Sequence, residues 1–264
     1  MREPAERTVL VNGRPCRVWE AGRGEKLGVL GGLVGFPRWS PFLDALAERR
    51  RVIVPSLPGF PGGLGHDALD DLPDWVSATL DLLEASGLDG ADLVGISAGG
   101  ALAAEVAAFS CATLRRLVLV SPLGLFDERE PVTDVWAQRM PDVARVLVSH
   151  PERLAAELAA PAGADPLEWQ IVMTRASEAA ARIFWPTFDV GLHKRLHRIT
   201  APTLLLWGSD DRVVPASYAK RFAEALRGPV TVRTIETAGH LADVDAPAAV
   251  ADAVEAFLAP RAQG

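Results

Sequence analysis

Residues 91–100 constrain the fold of this 264-residue chain more than any other stretch. An apolar run at 93–96, typical of a buried strand, leads into Gly-Ile-Ser-Ala-Gly at 95–99, and an alanine-rich stretch with helical character follows at 101–109. Glycine-x-serine-x-glycine between a strand and a helix predicts a sharp turn that strains the serine backbone and exposes its hydroxyl above a sheet. Ser97 is therefore a candidate nucleophile.

The neighbours of Ser97 fit the same interpretation. Gly95 and Gly99 are expected because a Cβ at either position would clash where the strand and the helix approach each other. The backbone N–H of Ala98 lies at the N-terminus of the predicted helix and points to where an oxyanion would form.

Strand and helix patterns alternate along the first 121 residues and again from about residue 199. This alternation predicts an α/β fold, with a mostly parallel central sheet and helices on both of its faces. The predicted strands are 8–11 and 14–19, which form a hairpin around Asn12-Gly13, and then 27–30, 51–54, 93–96, 117–120, 202–208 and 230–235. The predicted helices of this part are 39–48, 73–86, 101–109, 217–226 and 246–258.

Between these two parts, residues 122–198 show only helical patterns. We predict helices at 132–148, interrupted at Pro141, at 152–160 and at 167–184. The last has Asp165 as its N-cap and Pro166 at its first position. The chain is thus predicted to form a core domain from residues 1–121 and 199–264, with residues 122–198 as an all-helical cap inserted after the sixth strand.

Composition and charge exclude several classes of partner. A net charge of −7 and a sequence pI of about 5.3 disfavour nucleic acid and anionic membranes. Residues 1–7 lack the apolar region of a signal peptide, and no apolar run is long enough for a membrane span. Cys16 and Cys111 are far apart in sequence and are expected to be free thiols. We therefore expect a cytoplasmic globular protein.

Among the five histidines, His240 has the setting of a general base. A serine hydroxyl needs a base within hydrogen-bond reach and a third group that orients this base. His240 lies in Thr-Ala-Gly-His-Leu at 237–241, between the last predicted strand and the last helix. The other histidines lie in a long loop or in the cap and are interpreted as structural or surface residues; they are His66, His150, His193 and His197.

For the orienting acid, the residues themselves leave more than one candidate. Asp210 and Asp211 follow a predicted core strand, and because adjacent side chains point to different sides only one of them can serve. Asp243 and Asp245 are weaker candidates because they lie close to His240 in sequence and lead into the last predicted helix.

The order serine, acid, histidine on a parallel sheet, with a cap after the sixth strand, resembles the α/β-hydrolase superfamily. Carried over by position, the resemblance implies Ser97 as the nucleophile and His240 as the general base. The superfamily's G-x-x-D-x-x-x-P pattern, counted from Gly208 to Pro215, selects Asp211 as the acid.

The oxyanion loop departs from the superfamily pattern. That loop usually begins with His-Gly, whereas this chain has Gly31-Gly32. The resemblance implies Leu33 and Ala98 as the two N–H donors of the oxyanion hole.

The resemblance implies a hydrolase for carboxylic esters of small to medium, apolar substrates, acting through an acyl-enzyme on Ser97. A serine at this position excludes membership among those relatives that use a carboxylate or a cysteine as the nucleophile.

No metal or cofactor motif is found, so we expect neither a metal nor a cofactor. The expected partner is a small apolar ester or ketone, and the chain is expected to be a monomer or a homodimer.

Two alternatives stay open. Arg-Ile-Thr-Ala-Pro-Thr-Leu at 198–204 and the G-x-S-x-G-G sequence resemble carbon–carbon hydrolases of the meta-cleavage-product type, although those carry tryptophan where this chain has Leu241. A small-molecule receptor without turnover, as in hormone receptors of similar fold, is the alternative of another class.

The predicted cap is rich in aromatic residues. Trp136, Trp169 and Trp185 fall within it, together with Phe184 and Phe188. A helical cover over a nucleophile needs apolar walls that exclude water, so we expect the three tryptophans to line a substrate pocket above Ser97.

Overall fold

The computed structural model describes residues 2–110, 114–186 and 188–259, without the side chains of Met140 and Pro141. Cys16 is a buried free thiol, as expected, and Cys111 lies outside the described residues. No described helix has both the length and the apolar character that crossing a membrane requires.

Within the described residues, eight strands form one sheet in the order β1-β2-β4-β3-β5-β6-β7-β8. They are β1 (Ala5–Val11), β2 (Arg14–Ala21), β3 (Lys26–Leu30), β4 (Arg51–Pro55), β5 (Ala91–Ile96), β6 (Leu114–Val120), β7 (Thr203–Gly208) and β8 (Val230–Ile235). The β1–β2 hairpin and the β2–β4 pair are antiparallel, and all other pairs are parallel. β5 and β7 are buried along their whole length, as expected for central strands that are covered by helices on both faces.

The described residues also form nine α-helices and three short 3₁₀ helices. The helices are α1 (Pro41–Leu46), α2 (Leu72–Ala85), α3 (Ser97–Phe109), α4 (Met140–Leu147), α5 (Pro151–Leu158), α6 (Pro166–Phe184), α7 (Ser217–Ala225), α8 (Ala242–Asp245) and α9 (Pro247–Leu258). The predicted start of α6 is confirmed, because Asp165 accepts hydrogen bonds from the backbone N–H groups of Leu167 and Glu168 and Pro166 is the first helical residue.

The predicted fold class is confirmed: a mostly parallel sheet carries helices on its faces, and the helices α4 to α6 are inserted after the sixth strand. An ion pair links α3 to the segment that follows α6. The Arg195 guanidinium, which is partly exposed, donates to both carboxylate oxygens of the buried Glu105 at 2.5 and 2.6 Å. A second contact joins the loop after β4 to the cap: His66 Nε2 lies 2.8 Å from a carboxylate oxygen of Glu178 on α6. The exact domain boundaries stay a prediction.

One predicted helix was wrong in part. Residues 132–139 are not helical; there Thr133 donates to the carbonyl of Arg212, and Asp134 accepts from the backbone N–H groups of the next turn. Short polar side chains that bond the backbone in this way compete with helix formation. The predicted helix at 246–258 is confirmed as α9, which begins at Pro247 and follows the separate short helix α8.

Candidate active site

Ser97 lies at the junction of β5 and α3, with no residue between the two elements. Its φ is +50°, in the left-handed region, as the sharp turn predicts, but its side chain is fully buried and not exposed as expected. A Cβ on Gly95 would lie 2.6 Å from the Gly99 carbonyl oxygen, and a Cβ on Gly99 would lie 2.4 Å from that of Gly31. Glycine at both positions is therefore what allows the strand, the turn and the helix to pack this closely.

His240 lies in the loop between β8 and α8, and its side chain is fully buried. Its Nε2 is 2.7 Å from Ser97 Oγ, a hydrogen-bond distance. The two residues are 143 positions apart in the chain, so this contact depends on the fold of the whole sheet.

Asp211 lies directly behind His240. Its two carboxylate oxygens are 3.1 and 3.2 Å from His240 Nδ1, and one of them also accepts from the backbone N–H groups of Val213 and Val214 at 2.9 Å. Burial acts to raise the pKa of Asp211, but attraction to His240 and these hydrogen bonds outweigh it, so the pKa lies below its ordinary value. Asp211 therefore stays ionised where it can orient the imidazole.

In the described part of the chain, neither Asp210 nor Asp245 forms a hydrogen bond with the imidazole of His240. Asp210 is exposed, and its backbone N–H donates to the carbonyl of Ala238. Asp245 accepts from the backbone N–H groups of Gly239 at 2.7 Å, Ser149 at 2.8 Å and His150 at 2.9 Å. It thereby ties the loop of His240 to the end of α4, and it provides no cap for α9.

The remaining histidines have structural or surface positions in the part of the chain that the structure describes. His66 bonds Glu178, and His150 bonds Asp245 through Nδ1 at 3.2 Å. His193 and His197 are exposed.

The loop after β3 runs beside Ser97 and includes the predicted oxyanion donor Leu33. Ala98 is the second residue of α3, so its N–H has no partner within the helix. Among the described residues, no backbone hydrogen bond uses the N–H of Leu33. A Cβ on Gly31 would lie 2.8 Å from the backbone of Gly35, so the loop has no room here for the histidine side chain that the superfamily usually carries.

The comparison with protein families agrees with this geometry. The model of the Alpha/beta hydrolase family matches residues 9–253. The chain belongs to this family.

Individual α/β hydrolases are similar over almost the full chain. A 2-hydroxy-6-oxo-2,4-heptadienoate hydrolase of Pseudomonas putida is 27% identical, over 96% of this chain and 96% of that protein. The crystal structure of a bacterial membrane phospholipase A has a TM-score of 0.77 and 25% identity, over 97% of this chain and 86% of that one. The crystal structure of a naproxen esterase from Bacillus subtilis has a TM-score of 0.75 at 16% identity, over 97% of this chain and 92% of that one. At this identity the similarity shows the fold alone.

This α/β hydrolase has a cavity of about 240 Å³ between the loop after β3 and the cap helices α4 and α5. Ser97 is not among the lining residues, but Gly32 is, and a Cβ on Gly32 would lie 3.6 Å from Ser97 Cβ. The walls of the cavity are mostly apolar, and the volume is below the range of about 300–1,000 Å³ that is usual for drug-sized ligands. The lining residues are Gly32, Leu33, Val34, Gly35, Phe36, Pro37, Val143, Ala144, Leu147, Leu154, Ala155, Glu157, Leu158, Leu241, Asp243 and Val244.

Two carboxyl groups interrupt this apolar wall, and their proximity was not predicted from the sequence. Burial, and then repulsion from Glu157, raise the pKa of Asp243 to about 7. Burial also raises the pKa of Glu157, although attraction to Arg38 offsets part of this effect. One signal could have revealed Glu157: it lies at helical spacing on the same stripe as Leu154 and Leu158.

The raised pKa of Asp243 predicts that the folded state loses stability as the pH rises from about 4 to about 7. In this window the unfolded chain releases the proton of this carboxyl group, with an ordinary pKa of 3.8, whereas the folded protein retains it until about 7. Asp243→Asn removes this contribution. We expect the free energy of unfolding of the variant, relative to wild type, to rise across the window by up to about 4 kcal/mol.

Urea unfolding at a series of pH values measures this difference. Asp81→Asn, on the exposed side of α2, is the control and should follow the wild-type profile. Parallel profiles for Asp243→Asn and wild type would show that burial of Asp243 has no such effect.

The three cap tryptophans lie outside the wall of this cavity. Trp136 is half-buried and stacks on Phe188 with 5.3 Å between ring centroids. The indole N–H of Trp169 donates to the carbonyl of Leu158, and Leu158 is one of the residues that line the cavity. Trp185 is 60% exposed. A direct role of the three in substrate binding stays a prediction.

Proposed function

We propose that this α/β hydrolase cleaves carboxylic esters of small to medium, largely apolar substrates through an acyl-enzyme on Ser97. The observation that carries the proposal is the buried chain of contacts from Ser97 Oγ to His240 Nε2 and from His240 Nδ1 to Asp211. This arrangement has the hydrogen bonds that an activated serine nucleophile needs.

The proposed reaction has two halves. Ser97 Oγ attacks the carbonyl carbon while its proton passes to His240 Nε2, and the oxyanion is held by the N–H groups of Leu33 and Ala98. The tetrahedral intermediate expels the alcohol, which takes the proton from His240. A water molecule, deprotonated by His240, then attacks the acyl carbon, and the acid leaves as Ser97 regains its proton.

Hydrolysis of a carbon–carbon bond is the second candidate, supported by the similarity to the heptadienoate hydrolase of Pseudomonas putida. A dienoate carries a carboxylate. The cavity beside Ser97 is lined by Asp243 and Glu157, and its lining residues include no Lys, Arg or His. Above about pH 7, where Asp243 is ionised, repulsion between like charges disfavours an anionic substrate in this cavity and favours an uncharged ester.

Steady-state kinetics with p-nitrophenyl esters from acetate to octanoate, beside 2-hydroxy-6-oxo-2,4-heptadienoate, tests the proposal. We expect turnover of the shorter esters, with kcat/KM at least about 100-fold above that of the dienoate, a difference of roughly 2.7 kcal/mol in transition-state stabilisation. A higher kcat/KM for the dienoate would establish the carbon–carbon hydrolase instead. Binding of both without turnover would indicate the receptor alternative.

A further inference from the structure

The wall of the cavity carries more acidic groups than an apolar substrate requires. We propose that Asp243 and Glu157 form a subsite for an alkylammonium group, so that the substrates of this enzyme are esters whose acyl chain ends in an amine. The catalytic part of this inference rests on the proposed function, whereas the binding part does not.

Asp243 provides the first observation. The residue is only 7% exposed, lies at the start of α8 and lines the cavity. Its Oδ1 atom is buried and has no hydrogen-bond partner of normal geometry among the described residues. The backbone N–H groups of Asp243 and Val244 lie near the carboxyl group and offset only part of the rise in its pKa. Buried polar atoms in native proteins almost always have a partner, so an acceptor of this kind in a cavity wall indicates a donor on the ligand.

Glu157 provides the second observation, from the cap side of the cavity. It lies on the cap helix α5, between the wall residues Leu154 and Leu158. Among the described residues, neither a hydrogen bond nor an ion pair engages its carboxylate, and the nearby Arg38 guanidinium donates to the carbonyl of Ala159. The two carboxyl groups repel each other, and a cation between them would remove this repulsion.

The charges favour an ammonium group over a hydroxyl group. Asp243 and Glu157 bring two negative charges when both are ionised, and Arg38 brings one positive charge near Glu157. One negative charge therefore stays uncompensated in a small, mostly apolar space. A charge-assisted hydrogen bond to an ammonium is about twice as strong as one to a neutral donor.

The geometry of the cavity sets the position of this group in the substrate. Gly32, where a Cβ would lie 3.6 Å from Ser97 Cβ, lines the same cavity as Asp243 and Glu157. Most of the other lining residues are apolar. A molecule with its carbonyl at Ser97 would therefore place an alkyl spacer in the apolar part and its terminal group at the two carboxyl groups.

Binding to the Ser97→Ala protein tests the subsite without turnover. Calorimetry with hexylamine, 1-hexanol and hexanoate at about pH 8 compares cation, neutral donor and anion on one alkyl chain. We expect hexylamine to bind at least about tenfold more tightly than 1-hexanol, and hexanoate to bind most weakly. Adding Asp243→Asn should remove the preference for the amine, whereas adding the exposed Asp81→Asn should retain it.

Equal affinities of hexylamine and 1-hexanol in the Ser97→Ala protein would overturn the proposal. Should Asp243→Asn fail to fold, Glu157→Gln provides the same test, because the loss of either charge must reduce the preference. A preference for 1-hexanol that both variants weaken would show a neutral-donor site and would also overturn the ammonium assignment.

The catalytic test uses p-nitrophenyl 6-aminohexanoate and p-nitrophenyl hexanoate. We expect wild-type kcat/KM to be about tenfold higher for the amino ester, and the ratio to approach one in Asp243→Asn. Hydrolysis of both esters at equal rates would overturn the subsite and leave the proposed function intact. Tight hexylamine binding without hydrolysis of either ester would support the subsite and contradict the proposed function.

Discussion

Replacing Ser97 by alanine is expected to lower kcat for p-nitrophenyl esters by about 10⁵–10⁶-fold, because the reaction then has no atom that can form the acyl-enzyme. The same change should abolish covalent labelling by a fluorophosphonate probe. The fold should persist, since alanine keeps the Cβ of serine in the same backbone conformation and only the hydrogen bond to His240 is lost. Steady-state kinetics, mass spectrometry of the labelled protein and thermal unfolding measure the three effects.

Ser121 provides a matched control for this variant. It is also fully buried, and its φ of +42° also lies in the left-handed region. Its Oγ has no hydrogen-bond partner among the described residues, so Ser121→Ala should retain activity and labelling. Labelling that persists in Ser97→Ala would contradict the assignment of Ser97, and equal losses in both variants would point to misfolding.

The position of Ser97 could be predicted because its determinants are local. A buried strand, two glycines at fixed spacing and a helix lie within about 20 consecutive residues. The structure provides the atomic reason, since a Cβ at Gly95 or Gly99 would overlap backbone atoms. The proximity of His240 is not local, and it was predicted only through the order of elements on a parallel sheet.

The carboxyl pair of the cavity shows where sequence reasoning reaches its limit. Glu157 and Asp243 are 86 positions apart, in a cap helix and in a core loop, and nothing in either segment specifies how the cap packs on the core. The segment 132–139 was mispredicted for a related reason. Its apolar residues suit a helix, but Thr133 bonds the loop after β7, and this tertiary contact overrides the local preference.

Asp211→Asn is expected to lower kcat by about 10³–10⁴-fold, because the change reverses one hydrogen bond while keeping the shape of the side chain. In the wild type, the carboxylate accepts the proton of His240 Nδ1 and leaves Nε2 free to take the proton of Ser97. The asparagine oxygen can still accept from the backbone N–H groups of Val213 and Val214. Its NH₂ group then faces Nδ1 and donates to it.

That reversal moves the imidazole proton to Nε2, where it blocks the transfer from Ser97. Asp210→Asn is the matched control: the residue is adjacent and exposed, and only its backbone N–H is used, so kcat should change by less than about threefold. Kinetics on both variants, with circular dichroism as a check on folding, decides between the neighbours. A large loss in Asp210→Asn with little in Asp211→Asn would contradict the proposed roles, because the carboxylate that orients His240 would then not be the one that contacts it.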